Sequence, residues 1–144
     1  MSIDCSLLAG NTFVPAAAVN LADDNPGTGV SGGCSTSTQC SGGDSWVITF
    51  KVTCHLTQLV LSGWWEDNLN GGTQYWIAVK NDGTWYEGGA DTSTYNGDWE
   101  NVTDVRLRIE FGAGSPSGGH AGGGATGLAA WGEPTGGLVR VMVV

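Results

Sequence analysis

Residues 102–111 read Val-Thr-Asp-Val-Arg-Leu-Arg-Ile-Glu-Phe, and this stretch decides the fold class. Its apolar side chains at Val105, Leu107, Ile109 and Phe111 alternate with Asp, Arg, Arg and Glu. Successive side chains of a strand point to opposite faces, whereas a helix needs apolar spacings of three and four. The stretch is therefore predicted to be a β-strand with one buried face and one charged face.

Two more strands are predicted before it. Residues 45–50 alternate in the same way, with Trp46, Ile48 and Phe50 on one face, and residues 55–61 form another short apolar run. Alternation and short apolar runs bounded by turn residues are both typical of strands that line a core. We predict two core strands here.

A hairpin and a closing strand complete the pattern. Residues 74–80 and 84–87 flank Asn-Asp-Gly at 81–83, residue types that accept the backbone angles of a tight turn. Residues 138–144 are apolar apart from Arg140, as expected for a closing strand that is buried on both faces or packed against a partner.

Composition indicates short strands joined by turns. The 144 residues include 25 glycines and seven tryptophans. Glycine weakens helices, tryptophan favours half-buried sheet surfaces, and no long window keeps a helical apolar spacing. We predict an all-β fold, a single antiparallel β-sandwich domain over residues 1–144, with a cysteine-containing loop at 29–44 and a mobile glycine-rich loop at 112–127.

The charge balance argues against nucleic acid as a partner. Fourteen acidic residues against five basic ones give a net charge of −9, and the basic residues are scattered. Phosphate binding relies on clustered Lys and Arg. No apolar run approaches the length of a membrane span, and residues 1–5 lack the basic start and apolar core of a signal peptide. We expect no nucleic-acid binding, no membrane insertion and no signal-directed export.

Five stretches of the chain resemble, in order, segments of the discoidin, or coagulation factor 5/8 type C, family. They are residues 18–28, 46–50, 59–63, 75–85 and 99–111. They are similar to the family's early loop, its strand that opens with a buried tryptophan, the strand after it, its central hairpin, and its strand that carries arginines. The resemblance implies a jelly-roll sandwich of the galactose-binding-like type.

The resemblance also implies a calcium-binding loop. Asp23, Asn25 and Thr28 match the positions that shape it, and Glu133 corresponds to the family's acidic residue near the C-terminus. Carboxylate, amide, hydroxyl and backbone oxygens are the ligands that Ca²⁺ prefers, and Asp24 adds another carboxylate. Asp-Asn-Pro-Gly also forms an ordinary Asx-type turn without any ion, and that alternative stays open.

The cysteines allow more than one reading. Cys34 and Cys40 flank a short Ser/Thr-rich segment that a disulfide would staple. A zinc site that also uses Cys54 and His55 is the alternative, but the spacing lacks the close pair of cysteines typical of such sites. We predict a Cys34–Cys40 disulfide.

Two adjacent tryptophans end one predicted strand beside an Asn/Gly loop. Trp64 and Trp65 would point to opposite faces, one into the core and one outwards. Aromatic faces pack on sugar rings, and neighbouring polar groups bond to hydroxyls. Aromatic anchors serve protein interfaces equally well. The predicted ligand-binding residues are Trp64, Trp65, Glu66, Asp67, Asn68 and Asn70.

The other aromatic and basic residues of the strands are assigned to structure. Arg106 and Arg108 share one strand face and are expected to form surface ion pairs, although they would also suit a carboxylate or sulfate ligand. Four further tryptophans are expected in the core: Trp46, Trp76, Trp85 and Trp99.

The functional prediction is a non-catalytic binding module for a glycan or another cell-surface ligand, on an extracellular particle such as a phage virion. The alternative is a purely structural virion decoration, head-fibre or tail protein that packs against copies of itself or other virion subunits. An enzyme is not expected, because no nucleophile, acid pair or metal cluster stands out in the sequence.

Overall fold

Ten strands make up most of the described chain. The computed structural model describes residues 3–7, 20–21, 23, 25–34, 45–68, 73–110, 121–132 and 139–141. None of the elements found there is a helix long and apolar enough to cross a membrane. The strands are β1 (Ile3–Leu7), β2 (Val30–Cys34), β3 (Ser45–Ser62), β4 (Trp65–Asn68), β5 (Gln74–Asn81), β6 (Thr84–Glu87), β7 (Thr94–Glu110), β8 (Ala121–Ala125), β9 (Gly127–Gly132) and β10 (Val139–Val141).

The strands form two antiparallel sheets. The large sheet has the order β10-β9-β3-β7-β5-β6, and β1 also pairs with β3. The small sheet has the order β2-β8-β4. The predicted all-β antiparallel architecture is confirmed.

Residues 102–110, at the end of β7, have the buried face and the charged face that their alternation predicts. Within β7, Val105, Leu107 and Ile109 are fully buried, whereas the charged side chains between them face away from the core. The hairpin is confirmed as well, because β5 and β6 pair around a turn at Asp82 and Gly83, which both adopt positive φ.

The two strands predicted at 45–50 and 55–61 are one strand, β3, of 18 residues. Its pairing with β7 changes register three times near the middle. Such bulges bend a strand without ending it, and they interrupt the alternation that a sequence pattern can detect. The prediction of two separate strands was wrong for this reason.

The bend folds the ribbon of β3 and β7 back on itself. Trp46 pairs with Ile109, which pairs with Tyr75, so Trp46 and Tyr75 lie about 10 Å apart. Trp64, just past the other end of β3, also contacts the ring of Tyr75. A straight strand of this length would separate its ends by about 55 Å. Both ends of β3 therefore lie near one end of β5.

The core lies on the inner face of the large sheet. Val30 of β2 and Ala125 of β8 pair across the small sheet and are buried against that face, which makes the two sheets the layers of a sandwich. Each large apolar side chain buried in this way stabilises the fold by roughly 1.5–3 kcal/mol. The inward side chains that are fully buried include Ile48, Phe50, Leu56, Ile77, Val79, Val105, Leu107 and Ile109.

Both predicted loops contain strand. Residues 30–34 of the cysteine-containing loop at 29–44 form β2, and residues 121–125 of the glycine-rich loop at 112–127 form β8. The composition suggested loops because glycine offers no apolar surface of its own. Side chains of other strands cover β2 and β8 and supply the apolar burial, so the loop predictions were wrong for these residues. Residues 35–44 and 111–120 lie outside the described residues.

Part of the predicted closing strand is confirmed. Within 138–144, residues Val139–Val141 form β10, which pairs with β9 on one side and is an edge of the large sheet. Residues 142–144 and the side chains of β10 lie outside the described residues.

Candidate functional site

The site is built around a corner where the chain passes from one sheet to the other. β3 leaves the large sheet through Gly63 and Trp64 and enters the small sheet as β4, and beside it β8 passes through Thr126 into β9. The Thr126 amide donates to the Ser62 carbonyl at 2.9 Å. Gly63 has a φ of 66°, and a Cβ there would lie 2.1 Å from Thr126 Oγ1. The β3–β4 and β8–β9 connections are therefore in direct contact where they pass between the two sheets.

The corner sends the two adjacent tryptophans to opposite faces, as predicted. Trp64 is half-buried, packs against the core and lies 4.5 Å from Tyr75 between ring centroids. Trp65 is 46% exposed. Its backbone pairs with Gly124, the neighbour of buried Ala125, so it faces away from the core.

Glycines of β8 make room for both indoles. A Cβ at Gly123 would lie 2.5 Å from the Trp64 ring, and one at Gly124 would lie 2.8 Å from Cε2 and Cζ2 of Trp65. The Trp65 ring therefore rests on the backbone of β8, and solvent reaches its other face. This gives an aromatic platform, Trp65 over Gly124, on the outer surface of the small sheet.

Polar residues follow Trp65 along β4. Glu66 is exposed, and the backbones of Asp67 and Asn68 pair with Gly122 and Ala121. The side chains of Asp67 and Asn68, and all of Asn70, lie outside the described residues. Trp65 and Glu66 are both exposed, but as consecutive strand residues they point to opposite faces of the small sheet, and Trp64 is half-buried against the core. The ligand role of the six residues stays a prediction.

Among the described residues, the other exposed large aromatic side chain lies elsewhere. Tyr86, which is 44% exposed, belongs to β6 at the edge of the large sheet. Tyr95, on β7, is half-buried with its ring centroid 4.9 Å from that of Trp99. Neither shares the small sheet with Trp65.

The predicted calcium loop is closed by its own hydrogen bonds. Asp23 accepts from the Asn25 amide at 2.9 Å and from the Thr28 hydroxyl, and Asn25 Oδ1 accepts from the Gly27 amide at 2.9 Å. This is the geometry of the Asx-type turn. It also brings a carboxylate, an amide oxygen and a hydroxyl together in an exposed loop, a set of oxygens that fits a hard cation. Asp24 and Glu133 lie outside the described residues.

The outer face of the large sheet carries the arginines, stacked on tryptophans. The guanidinium of Arg108 lies 4.0 Å from the ring centroid of Trp76, and that of Arg106 lies 4.2 Å from the centroid of Trp85. Beneath them Ala78, although on the outer face, is fully buried. Trp76 and Trp85 were expected in the core and are instead half-buried under arginines, whereas Trp99 is buried as predicted. The side chain of Trp46 lies outside the described residues.

Ion pairs engage both arginines, as predicted. Arg108 donates to Glu87 at 2.8 and 3.1 Å and to Glu110 at 3.0 Å, and Arg106 donates to Glu87 at 3.3 Å. Partial burial alone would raise the pKa of the Glu87 carboxyl, but the hydrogen bonds from Arg108 and Arg106 outweigh it and hold that pKa below its usual value. A free anion would have to displace Glu87.

A buried carboxyl lies further along this face. Asp104 is 2% exposed and is paired with Lys51, and it also accepts from the Thr103 hydroxyl at 2.7 Å. Burial opposes its ionised form, but Lys51 and Thr103 more than compensate, so the pKa of Asp104 lies below its ordinary value.

The described residues show no cluster that would hold a metal through three His, Cys, Asp or Glu side chains. Cys54 is half-buried and unbridged, and burial raises the pKa of its thiol. His55 bonds to the exposed carboxyl of Asp98. The predicted Cys34–Cys40 disulfide lies outside the described residues, because only the backbone of Cys34 is described.

Comparison with known proteins shows the fold. No family model matches the chain, and no curated protein matches it in sequence. Among solved structures it is similar to chitosan-binding module 1 from a chitosanase/glucanase of Paenibacillus sp. IK-5, with 16% identity, a TM-score of 0.53, and coverage of 91% of this chain and 94% of that one. It is also similar to CBM32-3 from a family 31 glycoside hydrolase of Clostridium perfringens, with 18% identity, a TM-score of 0.51, and coverage of 80% and 81%.

The two similarities cover 91% and 80% of this chain. At 16% and 18% identity, these structures show the fold of this chain and do not show its ligand or its site residues. The chain has the galactose-binding-like jelly-roll fold of these carbohydrate-binding modules, as the resemblance to discoidin-type domains predicted.

Proposed function

We propose that the chain is a non-catalytic glycan-binding module in which the indole of Trp65 stacks on a sugar ring. The observation that carries the proposal is the aromatic platform, a tryptophan that is 46% exposed and rests on a glycine backbone. A soluble protein gains no stability from leaving so large an apolar face in water. An indole with one face on a rigid backbone and the other in water is suited to pack on the apolar surface of a ligand.

The chemistry of the platform suits a sugar. The apolar C–H face of a pyranose packs on an indole, and polar groups at the edge of the ring bond to hydroxyls. Glu66 is also exposed, but it is the next residue of the strand, so its side chain points to the opposite face of the small sheet. The stacking face of Trp65 therefore carries the proposal. Both structural neighbours are named as carbohydrate-binding modules, one of them for chitosan, which supports the same class of ligand.

The proposal is tested by the variant Trp65→Ala. Removing the indole is expected to lower the affinity for soluble glycans roughly ten- to hundredfold, because a stacked aromatic side chain contributes about 1.5–3 kcal/mol. Binding is measured by calorimetry with galactose and with chitosan oligosaccharides, and the circular dichroism spectrum should not change.

Tyr86→Ala is the matched control, because Tyr86 is exposed to a similar extent but lies on the edge of the large sheet. It should leave glycan affinity unchanged. Unaltered binding by a folded Trp65→Ala protein would rule the platform out as the glycan site.

We also propose that the Asp23 loop binds Ca²⁺ in a structural role. Asp23, Asn25 and Thr28 would supply oxygens, and the ion would lock the loop that leads into β2. Because β2 pairs with β8 beneath the aromatic platform, an ion here would stabilise the sheet that carries Trp65.

A second candidate function is subunit packing through the large sheet. It is favoured by the position of β10, an edge strand whose second side has no strand partner in the part of the chain that the structure describes. Unpaired edges are templates for pairing with another chain. This is the structural alternative raised by the sequence, and a measurement of mass distinguishes it from the binding module.

A further inference from the structure

The seat of the Trp65 indole includes a carbonyl group of another strand. A Cβ built at Gly124 would lie 2.8 Å from Cε2 and Cζ2 of Trp65 and 2.4 Å from the carbonyl oxygen of Val30. The ring and that carbonyl therefore border the same small space beside Gly124. Val30 is the first residue of β2, so the seat of the indole depends on where β2 begins.

The residue before Val30 is packed just as closely. A Cβ at Gly29 would lie 2.7 Å from the carbonyl oxygen of Ala125 and 3.4 Å from Thr126 Cα, so a methyl group fits there only if backbone atoms move. The Gly29 carbonyl also accepts from the side-chain amide of Asn20 at 2.9 Å. Gly29 therefore lies against the end of β8 and is held there by a hydrogen bond.

The Asp23 loop, residues 23 and 25–28, fixes the chain that enters Gly29. Thr28, directly before Gly29, donates its amide to the Asn25 carbonyl at 3.1 Å and its hydroxyl to the carboxylate of Asp23. A continuous set of contacts therefore runs from the Asp23 carboxylate, through Thr28 and Gly29, to the seat of the indole.

The hydrogen bonds of this loop are exposed, whereas β2 is anchored in the core. Val30 is 2% exposed and pairs with Ala125, so the sheet persists when one loop hydrogen bond is lost. A hydrogen bond that competes with water shifts a conformational equilibrium roughly two- to tenfold. Loss of the Thr28 hydroxyl is therefore expected to loosen the start of β2 without unfolding the chain.

We propose that Thr28 is a positioning residue for glycan binding, which holds the indole of Trp65 in its seat through Gly29 and Val30. The inference rests on the proposed function and adds to it a residue that acts through its neighbours. The apparent affinity of a site falls with the fraction of molecules in which the site is correctly placed, so a loosened seat weakens binding. This role of the loop does not require a bound ion.

The first test compares Thr28→Val with Thr28→Ser by calorimetry with galactose and with chitosan oligosaccharides, in chelator. Valine keeps the shape of threonine without the hydroxyl, so the affinity should fall roughly two- to tenfold. Serine keeps the hydroxyl and should keep the affinity of the wild type. Wild-type affinity in Thr28→Val, or an equal loss in Thr28→Ser, would overturn the inference.

Thr103→Val is the matched control. It also removes a hydroxyl that donates to an aspartate, the 2.7 Å bond from Thr103 to Asp104 on β7 of the large sheet. It should leave glycan affinity unchanged. An equal loss of affinity in Thr103→Val would mean that any weakening of the fold lowers binding, and that Thr28 has no special role.

A second readout needs no glycan. The near-ultraviolet circular dichroism of Trp65 is obtained as the difference between each protein and the same protein with Trp65→Phe. Fixed tertiary packing of an aromatic ring produces this signal. Thr28→Val should weaken it, whereas Thr28→Ser and Thr103→Val should keep it.

An undiminished signal in Thr28→Val would overturn the inference whether or not a glycan binds. The proposed function fails separately, if the wild type binds neither glycan or if Trp65→Ala leaves binding intact, while Thr28→Val still weakens the signal of Trp65.

Discussion

Gly63 and Gly83 have similar backbone angles for different structural reasons. Both have positive φ, 66° and 80°. Nothing lies within 4 Å of a Cβ built at Gly83, in the open turn of the β5–β6 hairpin. At Gly63 the same atom would lie 2.1 Å from Thr126 Oγ1 and 2.9 Å from Thr126 Cβ. Gly63 is therefore required by contact as well as by conformation.

We predict that Gly63→Ala costs about 3 kcal/mol or more of unfolding free energy and that Gly83→Ala costs about 1–2 kcal/mol. Forcing alanine into a left-handed backbone conformation accounts for the smaller cost, at Gly83. At Gly63 the new methyl group must also displace Thr126, and this accounts for the larger cost. Urea unfolding of the two variants measures the difference. Equal costs would show that the corner relaxes freely around Thr126.

β7 shows how a single strand can carry two surfaces of different chemistry. Its inward residues form the core, and its outward residues carry the charges that pair with Lys51, Glu87 and Glu110. The alternation in the sequence revealed both faces. It did not reveal that Trp76 and Trp85 of the neighbouring strands lie on the charged face, because whether tryptophan packs in a core or under an arginine depends on the register between strands.

The paired carboxylates of this face predict a loss of stability in acid. Because Asp104 has a lower pKa in the folded chain than when unfolded, its stabilising effect is complete above the unfolded pKa, about 3.9, and is lost as pH falls through the folded value. Asp104→Asn should therefore cost about 2 kcal/mol at pH 7. The difference from the wild type should shrink below about pH 4.

Denaturant unfolding at several pH values tests this. A difference between wild type and Asp104→Asn that stays constant down to low pH would mean that the carboxylate acts through packing and not through its charge.

On the scale of the whole molecule, the sandwich and an outward tryptophan were predictable, but the strand on which that tryptophan rests was not. Alternating residues in 102–111 and the turn at 81–83 were sufficient for the strands, because period and turn chemistry are local. The split between Trp64 and Trp65 follows from the same rule. The strand at Ala121–Ala125 has no apolar signal of its own, and its role is evident only when Trp64 and Trp65 from a distant part of the chain lie over its glycines.

Light-scattering mass and thermal unfolding, each with calcium and with a chelator, test the molecule as a unit. We expect a monomer whose unfolding temperature falls by several degrees in chelator, because an ion that binds only the folded loop stabilises it. A calcium-independent oligomer would favour packing through β10 instead. An unchanged unfolding temperature in chelator would show that hydrogen bonds alone hold the Asp23 loop and that no calcium ion stabilises it. Placement on an extracellular particle stays a prediction.

The small sheet also has a consequence for the order of folding. Its strands come from three separate parts of the chain, Val30–Cys34, Trp65–Asn68 and Ala121–Ala125, whereas β5 and β6 are joined by a tight turn. Closing long loops costs more entropy and slows pairing, so we expect the local hairpin to form early and the small sheet to form late. The surface around Trp65 then exists only in chains that have completed folding, and a glycan that binds there would act as a probe of the finished native state.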